Sequence, residues 1–257
     1  MSRANPARTS GMNPLSLPGL NAVVVGNGGI GSALCQALLE RSNVGSIALL
    51  GRSEVDLPGG ERILQCHVDA QEPGTLDDAV EGVRGLMDGV HLLVNTVGVL
   101  HGEDFKPEKR LRDLRAEHAL NAFQVNAMFM AAVAQAFSPL LRHGDPALFA
   151  SISARVGSLE DNELGGWYSY RASKAAHNML LRTIAREWKV SHRNTTVVAL
   201  HPGTVKTRLS QPFVSPGYRN RVLEPAECAD ALLAVMGGLT QEDSGQFYDW
   251  QGTTIPW

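Results

Sequence analysis

The sequence predicts an α/β fold, a single doubly wound parallel sheet flanked by helices. Three observations lead there. Short apolar runs at 22–25, 46–50, 63–68, 91–95, 148–152, 196–200 and 246–249 lack the polar alternation of half-exposed strands, as parallel strands buried on both faces do. Longer stretches of helical period separate them: Ile30, Ala33, Leu34, Ala37 and Leu38 form one apolar stripe, and Ala79, Val83 and Leu86 another. An Ala-rich stretch spans 119–141 and ends near Pro139 and Gly144, and 170–190 repeats the period through Ala175, Met179, Leu180 and Ile184. The third observation is a glycine cluster between the first run and the first helix. Strands alternating with crossover helices imply right-handed parallel connections.

The 257 residues suit one large domain better than two. Residues 1–19, rich in Ser, Pro, Asn and Arg, read as a flexible tail, and 20–257 as the domain. A formal charge of −3 with scattered arginines offers no basic surface for a polyanion, so nucleic acid is not an expected partner. Cys35, Cys66 and Cys228 are odd in number and widely spaced, as reduced core thiols of a cytoplasmic protein are. No apolar run approaches the ~20 residues that cross a bilayer, so a soluble, unsecreted protein with no membrane partner is expected. On that expectation the Asn194-Thr195-Thr196 sequon is coincidental.

Two motifs carry chemistry. Gly26-Asn27-Gly28-Gly29-Ile30-Gly31 fits Gly-x-Gly-x-x-Gly between a strand and a helix, where backbone N–H groups meet a pyrophosphate at the positive helix end. This is the dinucleotide-binding turn of a Rossmann fold. An NAD site usually places an acid about twenty residues further on to hold the ribose hydroxyls. Here the second run ends in Gly51-Arg52-Ser53, and an arginine pairs instead with a 2′-phosphate, so NADP(H) is preferred; Glu54 keeps NAD(H) as the alternative. The second motif is Tyr170-Arg171-Ala172-Ser173-Lys174. On a helix, i and i+4 share a face, so the ammonium can favour the ionised phenol and bring its pKa down from ~10 towards use as an acid/base.

Together these features resemble the short-chain dehydrogenases/reductases from Leu20 to Trp257. The glycine turn, Asp69, the stretch Asn95-Thr96-Val97-Gly98, Asn126, Ser153, Tyr170 with Lys174, and Pro202-Gly203 appear in the family's order. The segments beginning at Ser151 and Gly165 and the ending Phe247 to Trp257 are similar to the C-factor-like subgroup and to sniffer-type carbonyl reductases. The resemblance implies hydride exchange between a nicotinamide and a carbonyl/alcohol substrate, with Tyr170 as acid/base and Lys174 lowering its pKa and holding the nicotinamide ribose. It implies a substrate-oxygen hydrogen bond from Ser153 and a proton-relay water held by Asn126. Asp69 would contact the adenine, and Val205 and Thr207 the carboxamide end. A homo-oligomer, dimer or tetramer, is implied as well.

Three departures stand out. The glycine turn is one residue shorter than the family's usual form. The Asn-Asn-Ala-Gly stretch is altered between Asn95 and Gly98. Aligned on Gly157, the usual serine position is Ala154, so Ser153 enters the site by a local shift where the strand has ended or bulged, Ser158 replaces it, or no hydroxyl stands there. The last case favours a second reading, a dinucleotide-binding signalling or regulatory protein with weak turnover. No Cys/His ligand spacing indicates a metal, and no Gly-x-Ser-x-Gly elbow marks an acyl-transfer serine. Specificity is expected in the 208–221 lid-like segment and the 160–167 loop, with Trp167, Phe213 and Tyr218 as candidate walls.

Overall fold

All seven apolar runs become strands of one sheet. The structure, a computed structural model, describes residues 13–58, 60–72, 74–215 and 217–257. The strands are β1 (Leu20–Val25), β2 (Val44–Gly51), β3 (Ile63–His67), β4 (Leu92–Asn95), β5 (Ala147–Ile152) and β6 (Thr195–His201). Two short strands, β7 (Thr204–Val205) and β8 (Val222–Leu223), pair apart from the sheet, and β9 (Gln246–Asp249) completes it. The order is β3-β2-β1-β4-β5-β6-β9, parallel throughout. It reverses between β1 and β4, and the crevice at the carboxyl ends beside that reversal is where such sheets bind ligands.

The helices are α1 (Gly29–Leu39), α2 (Thr75–Leu86), α3 (Ala116–Phe123), α4 (Phe129–Leu141), α5 (Tyr168–Ser191) and α6 (Pro225–Gly237). Period-2 strand geometry sorts the core onto two faces. Ala22 and Val24 join Leu34 and Leu38 of α1 and Leu232 and Met236 of α6. Val23 and Val25 join Val83 of α2, Met130 and Phe137 of α4, and Leu181 and Trp188 of α5.

Three local features differ from the sequence reading. Residues 13–19 are not part of a loose tail: Leu15 and Leu17 are buried, and Asn13 Nδ2 donates to the carbonyls of Met236 and Leu239 at 2.8 Å each. Leu15 packs into the core with α6 residues, and Leu17 O accepts from Asn43 Nδ2 at 2.8 Å; residues 1–12 lie outside the described residues. The 119–141 stretch is not one regular helix but α3 and α4 joined by a π turn, Gln124–Met128, which carries Asn126. Such turns insert a residue into the helical ladder and re-aim side chains, often at functional sites. Helix α6 went unread in the sequence, although Pro225 at its first turn is a start signal.

The glycine turn shows why its residues are small. Gly26 adopts φ +102°, open to glycine at little cost, and its N–H donates to Leu50 O at 2.7 Å. A Cβ on Gly31 would lie 1.7 Å from Gly26 O, so the strand end and the helix start are in backbone contact. Gly31→Ala is therefore expected to destabilise the protein by about 1–3 kcal/mol or more, as overpacking of an unyielding contact does. Urea unfolding against the parent protein measures it.

Candidate active site

Helix α5 starts at Tyr168, so Tyr170 stands in its first turn and Lys174 one turn deeper. Both side chains are buried: Lys174 is 2% exposed. Lys174 Nζ donates to Ile152 O at the end of β5 at 3.0 Å and lies 5.9 Å from the Tyr170 ring centroid. Burial pulls Lys174 down to about 8 and pushes the phenol of Tyr170 upward. The sequence reading expected the cation to lower the phenol. In the buried pair, lost hydration sets the direction of both shifts.

Two glycines let this helix approach. A Cβ on Gly157 would lie 2.8 Å from Lys174 Cβ and 2.9 Å from its carbonyl carbon. One on Gly98 would lie 3.3 Å from Lys174 Nζ and 3.4 Å from Asn126 Oδ1, so Gly98 is where the lysine and the π-turn asparagine meet. Asn126, fully buried, accepts from Val99 N at 2.7 Å and donates to Val99 O and Ser173 Oγ at 2.9 Å each. Its side chain clamps the loop after β4 to α5.

Both candidate serines have hydrogen-bond partners of their own. Ser153 N donates to Leu200 O at 2.8 Å, continuing the β5 ladder without a bulge, and Ser153 Oγ donates to Asn178 Oδ1 of α5 at 2.6 Å. Ser153 stands one residue past the end of β5, and its hydroxyl is bonded to α5. Ser158 is also buried, and its Oγ accepts from Asp161 N at 3.1 Å. Ala154 stands between them, half-buried.

Below the pair lies a polar network that the sequence reading missed. Asn95 Nδ2 donates to Ser151 Oγ at 3.0 Å, and Ser151 Oγ is 2.8 Å from His177 Nε2. His177 Nδ1 is 3.4 Å from Asn178 Oδ1, the acceptor of Ser153. Burial first, and the Lys174 charge second, hold His177 down at about 3, so it is neutral at ordinary pH. With Asn178 offering an oxygen, Nδ1 carries the proton and Nε2 accepts from Ser151. The signal was present in the i, i+4, i+7 spacing of Tyr170, Lys174 and His177 along one helix face.

The expected cofactor residues gather at the strand-order reversal. Thr96 Oγ1 donates to Val25 O and Gly26 O at 3.1 and 3.0 Å, closing the turn from the β4 side. Asn27 reaches across to the Ser53 carbonyl, and Gly51 leaves room for it, since a Cβ there would lie 2.2 Å from Asn27 Cγ. Arg52 and Ser53 are exposed beside this turn. Thr207, after β7, packs on the turn: its Cγ2 would be 2.9 Å from a Cβ on Gly29, whereas a Cβ on Gly28 would meet nothing within 4 Å. Gly203, at φ +76°, would place a Cβ 2.9 Å from Trp250 Cδ1, with Pro202 and Val205 buried on either side. Asn95 points into the sheet, held by Ser151. Asp69 Oδ1 accepts from Gln71 N at 3.0 Å, the turn-capping use of an aspartate. Val97 N approaches Asn95 Oδ1 at 3.4 Å. The open glycine face, the uncapped start of α1 and the adjacent Thr207 fit a dinucleotide pyrophosphate.

The family model described as short chain dehydrogenase matches residues 20–216. The chain belongs to the short-chain dehydrogenase family. Among its relatives in that family, C-signal of Myxococcus xanthus is 35% identical over 147 residues, 57% of this chain and 83% of C-signal. The 1-hydroxy-2-glutathionyl-2-methyl-3-butene dehydrogenase of a Rhodococcus strain is 30% identical over 87% of this chain and 88% of its own. The solved NADPH-bound carbonyl reductase from chicken fatty liver superposes with a TM-score of 0.78 at 26% identity, covering 93% of this chain and 99% of that one. Carbonyl reductase Sniffer of Drosophila melanogaster shares the fold at a TM-score of 0.80 and 22% identity, covering 93% of this chain and all of that one.

Elsewhere in this short-chain dehydrogenase, the fold brings His91, His143 and Asp145 together at the opposite end of the sheet, a grouping invisible in sequence spacing. His91 Nδ1 accepts from Asn21 N at 3.0 Å, so the neutral ring carries its proton on Nε2, facing Asp145 Oδ2 at 3.9 Å, and offers no lone pair there. Among the described residues no helix is long and apolar enough to cross a membrane. All three cysteines are free, with burial pushing the thiols of Cys35 and Cys228 up to about 12.

The neutral histidines make acid stability predictable. Burial holds His177 at about 3 and His201 at about 4, below the ordinary 6.5 that the unfolded chain shows. Between those values the unfolded state takes up protons that the native state refuses, so stability falls as pH drops from 6.5 towards 4 and is unaffected by these groups above 6.5. Tm is expected to fall over that window, and His177→Gln to show a shallower fall than the parent.

Proposed function

We propose that this chain is an NADP(H)-preferring oxidoreductase that exchanges hydride with a carbonyl/alcohol pair, Tyr170 serving as the acid/base. The observation that carries the reading is the buried Tyr170–Lys174 pair at the carboxyl end of β5, next to an open glycine turn at the strand-order reversal. Names of relatives point the same way. A dehydrogenase spans most of the chain, and the chicken carbonyl reductase is NADPH-bound, which favours turnover over a purely regulatory role.

In this reading the turn 26–31 holds the cofactor's pyrophosphate, with Arg52 and Ser53 at the 2′-phosphate and Asp69 at the adenine. Residues 95–98 line the cofactor beside the turn, and Lys174, Pro202, Gly203, Val205 and Thr207 hold its nicotinamide end. The bound cofactor supplies the hydride. Tyr170 holds the proton: burial keeps its phenol protonated, the form that carbonyl reduction consumes, and it donates from Oη to the substrate oxygen. Lys174, with a pKa of about 8, is poised to change charge near neutrality and to answer that proton loss. Asn126 fixes the loop after β4 against α5. Ser153 serves through Asn178, holding the depth of α5, rather than by touching substrate. A homo-oligomer belongs to the same proposal, with Leu120, Met128 and Met179 exposed on the neighbouring α3, π turn and α5 as surfaces it would cover, as does a cytoplasmic location suited to free thiols.

Tyr170→Phe is expected to bind NADPH as the parent does, by fluorescence titration, while turnover on a panel of aldehydes, ketones and quinones drops by roughly 10²–10⁴-fold. Full activity in that variant would remove Tyr170 from the mechanism.

Arg52→Asp tests cofactor choice. It takes away a charge-assisted partner of the 2′-phosphate and adds repulsion, so preference is expected to swing from NADPH towards NADH. Equal affinity of the parent for both cofactors would make Arg52 a bystander.

A further inference from the structure

The first turn of α5 has an unusual support. The residue before it, Trp167, has backbone dihedrals of φ +52° and ψ +44°, and offers the helix no side-chain cap. Gly165 and Gly166 are also left-handed, at φ +62° and +65°. Glycines adopt that region freely, but for a tryptophan it is strained, and such a residue persists only where its surroundings hold it. Two residues hold this junction. Arg171 Nε donates back to Gly165 O and Gly166 O at 3.2 and 3.0 Å, and its Nη1 to Val156 O at 3.3 Å.

The other is Glu108, 61 residues upstream of Ser169 and 5% exposed. Its backbone carbonyl accepts from Trp167 N at 2.6 Å. One carboxylate oxygen accepts from Ser169 N at 3.1 Å and the other from the Ser169 hydroxyl. A buried acid needs such partners, and among the described residues no cation pairs with it. Ser169 N is one of the N–H groups that a helix start leaves without an intrahelical partner, and an anion is favoured at that end. Glu108 thus occupies the chemical role of an N-cap, supplied from a distant loop.

We infer that Glu108 is a positioning residue for the reaction: by capping the first turn of α5 from the loop after β4, it fixes Tyr170, the next residue after its partner Ser169. The inference rests on the reading of Tyr170 as the proton donor. Helix ends fray, and a phenol in a first turn moves with the fraying. Lys174, a turn deeper and held by Ile152 O, does not depend on that cap. The expected signature is therefore a loss of turnover without loss of cofactor affinity.

Hydrogen exchange, steady-state kinetics and NADPH titration on the full chain test this with Glu108→Ala, Glu108→Gln and Ser169→Ala. In Glu108→Ala the amides of Ser169 and Tyr170 are expected to exchange roughly 2- to 30-fold faster, the span that losing an N-cap covers. Its kcat is expected to fall roughly 10- to 100-fold, as for a misplaced reacting group, with Kd for NADPH within about 2-fold. Glu108→Gln keeps one acceptor for Ser169 N and is expected to recover part of both effects, and Ser169→Ala, which retains the N–H contact, to lose least. Should Glu108→Ala fail to fold, the order of Glu108→Gln and Ser169→Ala decides. Unchanged exchange at Ser169 and Tyr170 overturns the inference, as does a fall in kcat matched by an equal loss of NADPH affinity. Faster exchange in variants whose turnover, like that of Tyr170→Phe, equals the parent's leaves the cap in place and overturns instead the assignment of Tyr170.

Discussion

A lysine ammonium out of water must meet oxygen, and the position of Lys174 organises this site around that requirement. The oxygen it meets is Ile152 O, at the strand end where β5 leaves the sheet. For Nζ to reach it, α5 must lie almost against the segment that follows β5, which is why Gly157 has no room for a Cβ beside Lys174. From the β4 side, Gly98 is confined less severely, a Cβ there lying 3.3 Å from Nζ. Two glycines on separate strand ends thus set how close the helix comes. Were either to carry a side chain, the ammonium would lose its carbonyl while staying buried, an arrangement costlier than never burying it. Tyr170 follows from this placement, because a helix that fixes Lys174 fixes the residue one turn earlier on the same face.

The same approach determines what the serines can do. Strand side chains repeat every two residues and helix side chains every three to four, so Ser151 and Ser153 on one face of β5 meet His177 and Asn178 on the inner face of α5. Both hydroxyls are used in holding helix to sheet. Ser153 Oγ donates to Asn178 Oδ1 at 2.6 Å inside the core, and the residue that follows it is alanine.

The fold was legible because its signals are local. Seven apolar runs without polar alternation can only be strands covered on both faces, and the glycines of the 26–31 turn declare their backbone geometry in sequence. Tyr170 and Lys174 were legible for the same reason, being four residues apart on one helix. What escaped is built from distant residues. Nothing around Glu108 announces that its partner is Ser169, and the His91, His143 and Asp145 grouping exists only once β4 and the loop after α4 are side by side. The direction of the Tyr170 shift escaped for a different reason. Sequence shows the cation that would lower the phenol, but the burial that outweighs it is a property of the packed interior. Leu15 and Leu17 were lost in a polar segment whose composition is that of a tail, although both are buried and Asn13 ties the segment to Met236 and Leu239.

Helix α5 is held by different means along its length. From Lys174 to Leu181 it is fastened by a buried carbonyl contact, the His177 and Asn178 network and apolar packing. Its first turn, where the Tyr170 ring is buried, follows three left-handed residues, one of them a strained tryptophan, and is tied down by Glu108 and Arg171. Trp167 has its ring 6.1 Å from that of Tyr170 and 5.1 Å from that of Phe213 in the segment after β7. A residue held at the edge of allowed backbone geometry therefore connects that segment to the first turn of α5, so a displacement of the one bears on the other.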